Sequence, residues 1–80
     1  MGAIRKRFTP AEREVFLPGT PVQWLYVTRW VSARIDSEID TDPDGQQYVM
    51  AVYTGPDTDR ISNGHRLVLL PKHVRLPEGI

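Results

Sequence analysis

The 80-residue sequence contains no cysteine. That excludes a disulfide framework and any thiolate zinc site, and it points to a reducing compartment or to no reliance on an oxidising one. No apolar run approaches the roughly 20 residues that a membrane-spanning helix needs, and the first residues hold no hydrophobic stretch of signal-peptide length. Met1-Gly2 opens like a myristoylation site, but Lys6 stands where Ser or Thr is required. The expectation is a soluble, cytoplasmic protein with no membrane partner. Net charge is absent too: ten basic side chains offset ten acidic ones, which argues against a uniformly basic nucleic-acid binder. The six glycines are scattered at turns, so no phosphate-cradling loop is present.

The length suits one domain, and a chain this short buries a small fraction of its surface. Its apolar content, 40%, is enough for a packed core. The charges are unevenly spread. Between residues 36 and 59 lie Asp36, Glu38, Asp40, Asp42, Asp44, Asp57 and Asp59, with no Lys or Arg; between 60 and 76 lie Arg60, Arg66, Lys72 and Arg75, with no acid. Arg5, Lys6 and Arg7 add a basic cluster near the start. One acidic end and one basic region follow.

Residues 1–8 read as a flexible basic arm, and residues 9–80 as a single domain. Thr9-Pro10-Ala11-Glu12 makes a helix start, with Thr9 as cap, Pro10 at the first helical position and Glu12 placed for a capping box. Pro18-Gly19 ends that helix early, which predicts 10–16, with Phe8 stapled to Val15 or Phe16. The β-branched and aromatic run 22–27 reads as a strand, followed by a bend at 28–30. Ala33, Ile35 and Ile39 alternate with Arg34, Asp36, Glu38 and Asp40, the period of a half-buried antiparallel strand. Asp42-Pro43-Asp44-Gly45 is a turn, and 46–54 is the returning strand. Asn63-Gly64 marks a tight turn. A strand at 66–70, a 3₁₀ turn opened by Pro71 and a short last strand at 74–76 complete the chain. The expectation is a mainly β fold: a five-stranded small barrel, closed or nearly closed, since closure deals with exposed edges, with a short N-terminal helix.

Two stretches carry a family likeness. Trp30-Val31-Ser32-Ala33-Arg34-Ile35 resembles the start of the second strand in Tudor domains, and Leu70-Pro71-Lys72-His73-Val74-Arg75-Leu76 resembles the ending of SH3 domains. From about Pro18 to Leu76 the layout is similar to an SH3-like barrel of the Tudor-like branch; the helix lies outside that pattern. The resemblance implies Trp30 and Tyr53 as two walls of an aromatic cage that holds a methylated cation by cation–π attraction, with Asp57 as its counter-charge. Trp24 and Tyr48 are further partner-binding candidates; the alternative for all these rings is core filling. SH3-like barrels serve many partners.

Three other sets of side chains stand beside the aromatic one. Arg5, Lys6, Arg7, Arg60, Arg66, Lys72 and Arg75 would track phosphates if they share a face, with a nearby ring stacked on an unpaired base; otherwise they are an ordinary solvated surface. Asp40, Asp42 and Asp44 match half of a calcium loop, but Ala51 stands where the bidentate Glu belongs, and an acidic hairpin turn is the competing reading. His65 and His73 lie beside turns without sequence-near partners for catalysis or metal. No pocket-bound acid–base pair and no cofactor is implied. The function expected is a non-enzymatic binding module or adaptor for a protein partner, of the accessory or regulatory kind that phages and mobile elements carry. Two alternatives stand beside it: a nucleic-acid-binding barrel using the basic arm and the 60–75 region, and a self-associating structural subunit.

Overall fold

The computed structural model describes residues 5–77. It is mainly β: a curled antiparallel sheet, a half-barrel, with one short helix before it.

Helix α1 (Pro10–Val15) forms where the capping signals lie. The Thr9 hydroxyl accepts from the Glu12 N–H at 3.1 Å, and the Glu12 carboxylate accepts from the Thr9 N–H at 2.8 Å. The same carboxylate pairs with Arg5. The helix is one residue shorter than expected, because Phe16 turns out of helical geometry to reach the core. Phe16, not Val15, is the staple partner: its ring meets Phe8 edge-on with centroids 5.6 Å apart, while Val15 stays exposed. Residues 5–8, read from the sequence as part of the arm, are seated on the domain. The Gln47 N–H donates to the Lys6 carbonyl at 2.7 Å, the Phe8 N–H donates to Gln47 Oε1 at 2.9 Å, and Phe8 is fully buried. The rest of the arm, residues 1–4, lies outside the described residues.

The strands are β1 (Pro21–Tyr26), β2 (Arg29–Ile35), β3 (Asp40–Thr41), β4 (Gln47–Tyr53), β5 (Arg66–Leu69) and β6 (Val74–Arg75), with a 3₁₀ turn, Pro71–His73, between the last two. The order across the sheet is β5-β4-β2-β1-β6, and β3 pairs with the far end of β4. Two boundaries differ from expectation. The bend placed at 28–30 is a turn at 27–28, so Arg29 and Trp30 belong to β2. The alternating segment 33–40 is two strands. After Ile35 the chain bulges: the Asp36 N–H still donates to Met50 O, but the Met50 N–H is satisfied by the Ser37 hydroxyl at 3.0 Å. Pairing resumes at Asp40. A short polar side chain thus fills a rung of the ladder, and the alternation survives across the break.

The inner face gathers Val22 of β1, Ala33 and Ile35 of β2, Val49, Ala51 and Tyr53 of β4, Leu67 and Leu69 of β5 and Val74 of β6. Phe8, Phe16 and Ile61 cover it from outside the sheet. Each fully buried large side chain contributes about 1.5–3 kcal/mol. Tyr53 packs here because Gly55 permits it: a Cβ on Gly55 would lie 2.5 Å from the Tyr53 hydroxyl.

Candidate functional site

Residues directly opposite one another on paired strands share a face of the sheet, so the register lays out the outer face. One row runs Pro21, Arg34, Val52, Arg66 across β1, β2, β4 and β5. A second runs Arg75, Gln23, Ser32 across β6, β1 and β2. A third pairs Leu25 with Trp30. The outward positions of β4 that follow are Met50, opposite Val68, and Tyr48, opposite Asp40.

The five strands β1, β2, β4, β5 and β6 contain no Asp or Glu. They contain no Lys either, and their outward cations are all arginine: Arg34 and Arg66 on either side of Val52, and Arg75 beside Trp30. Arg75 is held in place. Its Nε donates to Gln23 Oε1 at 2.9 Å, and its guanidinium lies 4.1 Å from the centroid of the Trp30 ring, a cation–π stack. The Trp30 ring is thereby fixed on the outer surface with an arginine on it.

The opposite end of the same face is acidic. Asp42 Oδ1 accepts from the N–H groups of Asp44 (2.9 Å) and Gln46 (3.0 Å). Asp40 Oδ1 accepts from the Thr41 N–H, and its Oδ2 from the Tyr48 hydroxyl at 3.4 Å. The Tyr48 phenol titrates above its ordinary range, first because of the Asp40 charge, then from partial burial, its bond to Asp40 and the Asp42 charge. The carboxylates of Asp40 and Asp42 thus serve as turn caps and as a tyrosine partner, while Asp44 is exposed. Among the described residues no group of three His, Cys, Asp or Glu side chains is placed to hold a metal ion.

The remaining candidates are dispersed. Tyr53 is buried on the inner face and donates its hydroxyl to Pro56 O at 2.7 Å. It borders a cleft of about 290 Å³ that Trp30 also borders; in the register Trp30 takes the outward phase of β2 and Tyr53 the inward phase of β4. The Asp57 carboxylate accepts from the Asn63 N–H at 2.7 Å and pins the loop before β5. Trp24 is on the inner face, tilted against Tyr26 with centroids 5.2 Å apart, and its indole Nε1 is buried without a hydrogen-bond partner. Of the seven-member basic set, Arg5, Lys72 and Arg75 border one cleft of about 450 Å³ between the helix and the 3₁₀ turn, and the others lie elsewhere. Arg5 is paired with Glu12, Arg7 is exposed beside the buried Phe8, and Lys6 anchors through its backbone. Lys72 lies in the 3₁₀ turn, Arg60 lines a cleft with Tyr26 and Arg29, and only Arg66 and Arg75 reach the outer face.

Arg34, Gln23 and Leu25 were not singled out by sequence reasoning. Arg34 was visible as the polar phase of an alternating strand. Its pairing with Arg66 across Val52 depends on the β4–β5 register, and 12 residues, 54–65, separate those strands. No described helix is long and apolar enough to cross a membrane. Neither any protein family, nor any curated protein, nor any solved structure matches the chain.

Proposed function

We propose that this protein is a non-enzymatic binding module, an SH3-like barrel of the Tudor-like branch, that engages an acidic segment of a protein partner on the outer face of its sheet. The observation that carries the reading is the run of outward positions on β1, β2, β4, β5 and β6 that holds no acid, where Arg34 and Arg66 flank Val52 and Arg75 stacks on Trp30. Aromatic side chains, Met and Arg are enriched where proteins meet, and Lys is depleted; the outward positions of these strands hold Trp30, Met50 and three arginines, with no lysine. A partner with carboxylates around an apolar anchor would meet the guanidiniums with paired, charge-assisted hydrogen bonds. The strand order, with the last strand returning to the first through a 3₁₀ turn, supports the barrel assignment. An accessory or regulatory role is the corresponding cellular expectation.

The test is selection from a displayed library of random peptides, followed by affinity measurement on purified protein. Enriched peptides are expected to combine acidic residues with an aromatic or aliphatic anchor. Arg34→Glu with Arg66→Glu is expected to weaken their binding by at least tenfold, since each mutation places like charges together. Selection without acidic enrichment overturns the reading. So does an amide NMR titration with single- or double-stranded DNA in which Arg34, Arg66 and Arg75 shift at physiological salt, because phosphate binding of that kind is salt-resistant only when it is specific.

A further inference from the structure

We infer that β5 is an open edge through which two copies of this chain pair, antiparallel and about a two-fold axis. The inference goes beyond the outer-face reading and uses different atoms, the backbone groups of one strand.

The phase of the β4–β5 ladder is fixed by the bond from the Tyr53 N–H to the His65 carbonyl at 2.8 Å. His65 and Tyr53 lie in the same register as the pairs that follow, Ala51 with Leu67 and Val49 with Leu69. Hydrogen-bonded and non-hydrogen-bonded pairs alternate along an antiparallel ladder, so Leu67 and Leu69 point their N–H and C=O groups at β4. Arg66 and Val68 point theirs the other way. The opposite edge of β4 keeps the same alternation: Met50 O accepts from the Asp36 N–H, and the Thr54 N–H donates to Ser32 O. Among the described residues, nothing hydrogen-bonds to the outward backbone groups of Arg66 and Val68.

That edge is self-complementary. Two antiparallel copies of β5 in which Arg66 of one falls opposite Val68 of the other form two hydrogen-bonded pairs, so all four outward groups of each strand are satisfied. Leu67 then lies on the two-fold axis, which is the isologous arrangement that closed dimers require. The register also keeps the arginines from facing each other directly: each Arg66 stem lies against a Val68 that is 60% exposed in the single chain. β5 reads Arg-Leu-Val-Leu; it has no proline, lysine or inward-facing charge, and its protection as an edge is its shortness and the single charge of Arg66, which this register sets against Val68. Four hydrogen bonds in the whole dimer and two Arg66–Val68 contacts make a small interface, below the roughly 1,200–2,000 Å² of stable complexes. The dimer is therefore weak. With two arginines drawn together, it is strengthened by added salt, whereas an acidic partner on the outer face is weakened by it.

The experiment is sedimentation equilibrium of the full chain up to about 1 mM, a range suited to a weak, transient dimer, with hydrogen exchange read at the amides of Arg66 and Val68. The expected result is an average mass rising from 9.1 kDa toward twice that value, more steeply in high salt, with protection of those two amides growing as the mass does. Val68→Pro removes an outward N–H that the single chain does not use, a substitution edge strands tolerate, and is expected to hold the mass at one chain while the circular dichroism of the fold is kept. Val68→Lys makes the same test by edge charge if the proline variant fails to fold. A wild-type chain that stays monomeric throughout overturns the proposal, and so does a dimer that survives Val68→Lys. Either result leaves peptide binding by Arg34 and Arg66 intact, so the two proposals fail separately.

Discussion

Two hairpins of this protein solve the same problem in opposite ways. The turn between β3 and β4 is built from residues suited to it. Gly45 takes a left-handed φ of 87°, Pro43 supplies a pre-set φ, the Asp42 N–H donates to Gln46 O, and the Asp42 carboxylate caps two further N–H groups. The turn between β1 and β2 has only two residues, Val27 and Thr28. There Val27 takes φ 59°, a conformation in which a β-branched residue is an outlier, and its side chain is 75% exposed. One turn spends its sequence on stability; the other holds an apolar side chain in solvent under backbone strain. Strain of this kind persists where the surroundings over-determine it, and here both flanking strands do so through six consecutive cross-strand pairs.

The contrast can be broken from the stable side first. Gly45→Val places a β-branched residue in the left-handed region and is expected to destabilise the fold by up to about 2 kcal/mol. Asp42→Ala removes the acceptor for two backbone donors in a solvent-accessible turn and should cost about 1 kcal/mol. In a domain of this size each kcal/mol moves the melting midpoint by roughly 4–8 °C, so thermal denaturation resolves both. A Gly45→Val chain that melts with the wild type would show that this turn carries no conformational demand.

From the strained side the sign reverses. Val27→Gly relieves a left-handed Val, worth about 1–2 kcal/mol, against the roughly 0.5–1 kcal/mol that glycine costs through the unfolded chain. Val27 buries little, so little packing is lost. The net expectation is a gain of about 0.5–1 kcal/mol, seen as a raised melting midpoint. A loss would mean that Val27 supports the neighbouring cleft of Tyr26, Arg29 and Ile61, and that the strain is compensated by packing.

The two hairpins also differ in how far the sequence disclosed them. Asp42-Pro43-Asp44-Gly45 announced its turn because each residue matched a backbone requirement. The capping box at Thr9 and Glu12 and the 3₁₀ turn at Pro71 were legible for the same reason. Val27-Thr28 carries no turn chemistry, so the sequence suggests a bend at 28–30 and hides the start of β2 at Arg29. The Ser37 bulge was hidden because a side-chain hydroxyl replaced a backbone partner without disturbing the alternation on either side. Phe8 was named as a staple, yet its residues were read as arm, since a basic run hides one buried ring. The outer face is the least local feature. Its charge asymmetry was visible, but which arginines share a surface depends on cross-strand register. Arg60 looks equivalent to Arg66 until the pairing is known, and Arg34 looks like mere solvated alternation.

The smallest effect tests the acidic hairpin's electrostatics without disturbing its backbone. Tyr48 holds its proton above the ordinary tyrosine range, chiefly because the Asp40 carboxylate would face the phenolate. A group whose folded pKa is raised adds stability that is complete below its unfolded pKa, near 10, and that is lost as pH rises through the higher folded value. Asp40→Asn removes that charge and leaves an amide beside the phenol. The phenolate absorbance of Tyr48 is then expected to appear at lower pH than in the wild type, and a Tyr48→Phe control identifies which of the three tyrosines has moved. Salt should narrow the gap between the two titrations, because an exposed pair is screened. An unchanged titration would mean that Asp40 is engaged by the Thr41 N–H alone, and that the tyrosine borders the acidic end of the sheet without feeling it.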